Sequence, residues 1–300
     1  MRAVKTLLAS MALAGLATAS AAQDATRVVT VNYALQYFAE RLLGDAGEVV
    51  FPVPADVDPS FWRPTIADIS AVQSADLILL NGAGFATWVD RVSLPRSRLV
   101  NTSSTIEDQF IVTESITHSH GDGGEHSHEG LASYTWLDPT LAIAQAEAIA
   151  AAITARDLAT GDAVEDRLAA LRTDLEGLDA EAKAALAPAQ GITIIATHPR
   201  YQYLARRYDL SVTALEWEAG AMPSEADLAD LSALIAETDA NVLVWEAAPP
   251  AAALEATAAL GLQNVIFEPL AQTPDTGTFT AVFQAAVASL AAAAGQGASN

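Results

Sequence analysis

The stretch VEDRLAALRTDLEGLDAEAKAAL, residues 164–186, decides how the rest of the chain is arranged. Val164, Leu168, Leu171, Leu175, Leu178, Ala182 and Leu186 recur at spacings of four and three. That repeat lines one face of an α-helix. At 1.5 Å per residue the helix is about 35 Å long, enough to cross a whole small molecule. Pro188 ends it. Ahead of it, Asp138 can cap a first turn and Pro139 suits the first helical position. A further helix therefore runs to about Arg156, and Thr160-Gly161-Asp162 separates the two.

Working outward, apolar strands and amphipathic helices alternate on both sides. Before the helical pair, strands are expected at Val28–Val31, Glu48–Val53 and Asp76–Leu80, with helices at Tyr33–Leu43 and Thr65–Ser74 between them. After it come a strand at Thr193–Ala196, a helix at Arg200–Tyr208 and a strand at Ser211–Leu215. A helix at Glu225–Thr238 follows, opened by Ser224 with Asp227 three residues on. The chain closes with a strand at Asn241–Trp245, a helix at Ala251–Leu260, a strand at Asn264–Phe267 and a helix at Thr278–Ala294. Such alternation implies parallel pairing through helical crossovers. The expected fold class is α/β: two lobes, each a parallel sheet flanked by helices, joined by a helical segment. The lobes span residues 23–137 and 190–300, and the helical segment spans 138–189. No sequence repeat relates the halves. Two lobes enclose a cleft, a favoured place for a ligand.

Composition narrows the function. Of 300 residues, 37 are acidic and 15 are Lys or Arg, giving a formal charge of −22. That field repels nucleic acid and draws cations. There is no cysteine, which rules out disulfides, thiolate zinc sites, iron–sulfur clusters, a cysteine nucleophile and a lipidated N-terminal cysteine. Residues 1–22 read as a secretory signal peptide. Arg2 and Lys5 give the basic start, Thr6 to Thr18 the apolar and small-residue centre, and Ala19-Ser20-Ala21-Ala22 the small residues for cleavage. The apolar run is short for a membrane span, so export to the periplasm without lipidation is expected.

Four of the five histidines, His118, His120, His126 and His128, crowd into the polar, glycine-containing segment 117–130 with Asp122, Glu125 and Glu129. Neutral imidazole and carboxylate together suit zinc and its neighbours. Gly121, Gly123 and Gly124 deny the segment a fixed frame, so a bound metal would impose the geometry. The same composition would also serve as a plain solvated linker. His128-Glu129 does not open a metalloprotease helix, because position 132 is alanine. The fifth histidine, His198, follows Ile194-Ile195-Ala196-Thr197, at the strand end that faces the ligand crevice in α/β sheets. A hydrogen-bonded structural histidine is the alternative there. Gly-x-Ser-x-Gly, phosphate-loop and Gly-x-Gly-x-x-Gly patterns are absent, and no enzymatic activity is expected. Glu216, Glu218 and Glu246 follow strands as ordinary exposed glutamates would.

These residues together resemble a known family. Asp58-Pro59-Ser60-Phe61-Trp62-Arg63-Pro64-Thr65, Asn81-Gly82-Ala83-Gly84-Phe85, the histidine-rich segment, Trp136-Leu137-Asp138-Pro139, His198 with Tyr201 to Tyr208, and Glu268-Pro269-Leu270 occur in the order found in the periplasmic solute-binding proteins of zinc and manganese ABC transporters. The resemblance implies two α/β lobes bridged by a long helix, with metal held in the cleft by three histidines and a carboxylate. It carries over unevenly. His198 matches the third ligand and Asp275 the carboxylate, whereas Ser60 and Tyr134 stand where the first two histidines belong. A neutral serine is a poor zinc ligand, and a phenol must lose its proton to become one. The cleft alone therefore falls short of the roughly four donors that zinc wants.

Three arrangements follow. Histidines of segment 117–130 complete the shell, or Tyr134 ligates a harder ion such as iron(III), or the cleft has exchanged metal for another solute or a partner. The expected function is capture of a metal ion, zinc first and manganese or iron next, for an ABC permease in the inner membrane. The chain would work as a monomer. The alternatives are a relative whose cleft has lost metal, or a zinc buffer acting through the histidine-rich segment.

Overall fold

The computed structural model describes residues 26–113 and 130–297. The histidines at 118, 120, 126 and 128, and the signal peptide expected at 1–22, lie outside the described residues.

The N-terminal sheet holds β1 (Thr26–Thr30), β2 (Gly47–Val50), β3 (Leu77–Leu80) and β4 (Leu99–Asn101), all parallel, in the order β2-β1-β3-β4. Helices α1 (Tyr33–Leu43) and α2 (Ile66–Gln73) make its first two crossovers. Asn32 caps α1 by accepting from the Leu35 amide, and Thr65 with Asp68 forms a reciprocal capping box on α2. Three strands escape the sequence reading for the same reason, their length. β4 has three residues, and the antiparallel pair β5 (Val112–Thr113) and β6 (Gly130–Leu131) has two each, too few to show a period.

Helix α3 (Pro139–Ala155) begins as the sequence predicts, with Pro139 in its first turn and the Asp138 carboxylate accepting from the Thr140 amide. Helix α4 (Gly161–Leu186) follows. Its apolar stripe turns inward: Val164, Leu171, Leu175, Leu178, Ala182 and Leu186 are buried. One face of α4 meets α1 and α3 on the N-terminal side and α8 (Phe279–Gly297) on the C-terminal side, so a single helix serves both lobes.

The C-terminal sheet holds β7 (Thr193–Ala196), β8 (Ser211–Ala214), β9 (Val242–Trp245) and β10 (Gln263–Ile266), again all parallel, in the order β10-β9-β7-β8. Helices α5 (Gln202–Arg207), α6 (Glu225–Thr238) and α7 (Ala251–Ala259) connect them. Numbered within its own lobe, each sheet reads 2-1-3-4. The halves thus repeat a topology that their sequences do not advertise. In this arrangement the crossovers leave the first strand toward opposite edges, which opens a crevice between the carboxyl ends of the first and third strands. Those places lie beyond β1 and β3 in one lobe, and beyond β7 and β9 in the other.

Direct contacts also fasten the lobes together. The Tyr33 amide donates to the Ala271 carbonyl at 2.8 Å and the Trp136 indole to the Pro269 carbonyl at 2.8 Å. Tyr37 stacks on Phe279 with centroids 5.5 Å apart.

Candidate metal centre

The C-terminal crevice is built by hydrogen bonds that continue the sheet past its strands. The Thr197 amide donates to Val244 at 2.8 Å and the Trp217 amide to Thr197 at 2.9 Å. These bonds hold Thr197 between its neighbours and deliver His198 and Glu246 side by side, each just beyond its strand. His198 Nδ1 lies 3.1 Å from the Trp217 carbonyl and 3.7 Å from Glu246 Oε1. A carbonyl can only accept, so Nδ1 carries the hydrogen, and in the neutral ring the lone pair is then on Nε2. That tautomer suits a metal-ligating imidazole oriented by a backbone acceptor.

The turn His198-Pro199-Arg200 closes with the Arg200 amide donating to the His198 carbonyl at 2.9 Å. Helix α5 starts only at Gln202, later than the sequence suggests, and so Arg200 points inward instead of riding on a helix surface. Its guanidinium is buried, with the side chain 7% exposed. Nε donates to Glu246 Oε2 at 3.0 Å, and one terminal nitrogen donates to Asp58 Oδ2 at 2.6 Å. Asp58 belongs to the N-terminal lobe and Glu246 to the C-terminal lobe, and one cation spans the gap.

Tyr134 forms the cleft wall. Its ring lies 4.7 Å from the guanidinium carbon, within cation–π range. Its hydroxyl hydrogen-bonds the Ser60 side chain. Ser60 in turn donates to Asp58 Oδ1 at 2.6 Å, and the Ser60 amide donates to the same oxygen at 2.8 Å. The two positions that depart from the family's histidines therefore meet in space. Burial pushes the Tyr134 phenol far above its ordinary range, outweighing the opposing pull of Arg200, so the phenol stays neutral.

Asp275 lies on the exposed loop before α8. With Asp58, Tyr134, Glu246 and Glu268 it lines an interlobe cavity of about 360 Å³. Burial, and then the Asp275 charge, hold the Glu268 carboxyl above the usual carboxylate range. Among the described residues, no three His, Asp or Glu side chains stand together as a ready metal cage. Glu246, expected to be an ordinary exposed glutamate, is instead 9% exposed and central. Asp58 entered the sequence reading only as the start of the Asp58–Thr65 motif, and Arg200 only as the start of an expected helix. They lie 142 residues apart and only the fold joins them.

The model of the family described as zinc-uptake complex component A, periplasmic, matches residues 28–293. The chain belongs to this family. The high-affinity zinc uptake system protein ZnuA of Bacillus subtilis is 28% identical over 228 residues, covering 74% of this chain and 71% of that protein. The iron-binding protein YfeA of Yersinia pestis is 27% identical over 187 residues, covering 61% of this chain and 56% of YfeA. A crystal structure of ZnuA superposes with a TM-score of 0.70 at 25% identity, over 90% of this chain and all of that one. The metal-dependent lipoprotein YcdH of Bacillus subtilis shares the fold, with a TM-score of 0.75 at 22% identity, over 89% of this chain and 98% of YcdH. The two-lobed α/β architecture bridged by α4 is thus the architecture of the family.

Proposed function

We propose that this chain is the metal-capturing subunit of an ABC importer, carrying zinc through the periplasm to a permease in the inner membrane. In this reading residues 1–22 are the export signal, the chain acts as a monomer, and binding is reversible without turnover. Manganese and iron are the secondary cargoes, the latter in keeping with the likeness to an iron-binding protein. The observation that carries the reading is His198. It stands at the crevice of a chain matched along residues 28–293 by a zinc-uptake family, its Nδ1 tied to a carbonyl and its Nε2 left to bind. Glu246 beside it, and Asp58 and Asp275 lining the same cavity, are the proposed oxygen donors.

Calorimetry of chelator-stripped protein with zinc tests this. Stoichiometric binding at neutral pH, weakened about tenfold or more by His198→Ala, is the expected result. Loss of a single hydrogen-bond partner of a ligand already costs a site that much, and loss of the ligand itself costs at least as much. Absence of zinc heat in the wild type defeats the proposal.

The buried guanidinium favours a second reading, in which His118, His120, His126 and His128 do the capturing. Deleting 117–130 would then abolish binding, and His198→Ala would leave it intact.

A further inference from the structure

Arg200 is hard to account for in a cleft that loads a cation. Asp58 and Glu246 reach into the gap from opposite lobes, and both are directed at the guanidinium, at 2.6 and 3.0 Å. Without a positive charge between them, the two carboxylates, the buried Glu246 and the half-buried Asp58, would repel each other. The guanidinium removes that repulsion, and the Tyr134 ring shields one of its faces at 4.7 Å. His198, through Glu246, borders the same charge. The groups best able to hold a divalent ion here are therefore the groups that a tethered cation already engages.

We propose that the Arg200 guanidinium is a built-in competitor for the cargo ion, occupying Asp58 and Glu246 so that zinc loads the cleft only by displacing it. This rests on the reading of the cleft as the cargo site. Its consequence is a weakened cargo affinity tied to a conformational step. When the guanidinium-out state is a tenth of the population or less, apparent affinity falls about tenfold or more below that of the free site. Displacement also cuts the ionic tie between the lobes, so loading and lobe contact are coupled. Arg200 acts here as a residue that sets specificity: only an ion charged and compact enough to satisfy two carboxylates and an imidazole can replace it.

The test uses the full chain with His118, His120, His126 and His128 changed to alanine, so that the cleft alone reports, titrated with zinc as the free ion. Arg200→Met, similar in length and uncharged, should bind zinc at least about tenfold tighter than its parent, and His198→Ala added to it should cancel the gain. Zinc should also raise the Tm of Arg200→Met more than that of the parent, because the ion restores the missing charge. A purely structural arginine would lower Tm and leave zinc affinity where it was. Arg200→Lys, whose compact ammonium cannot fork between two carboxylates, should fall between parent and Met. If Arg200→Met does not fold, Arg200→Lys decides, and any tightening that His198→Ala cancels supports the proposal. A folded Arg200→Met, or failing that Arg200→Lys, that binds zinc no tighter than the parent overturns it. In that case the carrier reading survives if the parent binds through His198. A parent that binds nothing, beside an Arg200→Met that binds, supports the competitor and counts against the carrier reading.

Discussion

The two lobes repeat one strand order and fill equivalent crevices with opposite chemistry. Beyond β1 and β3, the N-terminal crevice is closed by a neutral network. The Gln145 amide donates to Asn81 Oδ1 at 3.0 Å, to Thr102 Oγ1 at 3.1 Å and to Ser103 Oγ at 3.1 Å, and Asn81 donates to the Ser133 carbonyl at 2.8 Å. Asn32, Asn81, Gln145, Thr102 and Ser103 are fully buried. Beyond β7 and β9, His198, Arg200 and Glu246 fill the corresponding place with charge and a free imidazole nitrogen. A satisfied amide network has nothing left to offer a ligand, whereas a charged crevice must keep a counter-charge of its own or take one from solution. One topology therefore yields a structural joint in one lobe and a candidate site in the other, and the side chains at the strand ends make the distinction.

Substitutions can break that contrast. Glu246→Ala should have the largest effect on stability, because it strips the buried Arg200 of its one buried carboxylate partner and leaves it the half-buried Asp58. A loss of about 3–5 kcal/mol in denaturant unfolding is expected, together with weakened zinc heat. Gln145→Ala should cost less, about 1–3 kcal/mol in all, because Asn81 Oδ1 keeps Asn32 and Thr135 as donors and the Thr102 hydroxyl keeps the Leu80 carbonyl, and it should leave zinc heat unchanged. If Gln145→Ala weakened zinc binding as much as Glu246→Ala, the two crevices would not be functionally distinct.

The smallest effect belongs to the cap of α2, remote from both crevices. Asp68 accepts from the Thr65 amide and hydroxyl, which lowers its carboxyl below the ordinary 3.8. A folded value lower than the unfolded one means that the ionised form stabilises the fold. The contribution is complete well above pH 3.8 and fades as the pH falls through the lowered folded value. Asp68→Asn should thus lower Tm slightly at pH 7, and the gap between mutant and wild type should close in acid. A gap that persists there would show that the carboxylate's charge is not what the cap uses.

Periodicity made much of this molecule legible. It placed α1 at Tyr33–Leu43, β7 at Thr193–Ala196 and α6 at Glu225–Thr238 with the bounds observed. It also showed α4 as one long helix with a buried face, because a buried stripe must repeat along the sequence wherever one helix face meets a core. His198 was legible as well, since a strand end in a parallel sheet is a known place for a ligand group. The strand order was not. It depends on which edge each crossover takes, and the local pattern is the same either way.

The partnership of Asp58, Tyr134, Arg200 and Glu246 was equally hidden. Each residue alone reads as a cap, a core aromatic, a helix charge or a surface glutamate. A charge's role is set by its neighbours and its distance from water, and here those neighbours come from segments 142 residues apart. The sequence by itself determined the elements, the long helix and the strand-end imidazole, because these rest on short-range repeats. Only the tertiary structure decided that a guanidinium fills the cleft, because electrostatic pairing follows proximity in space.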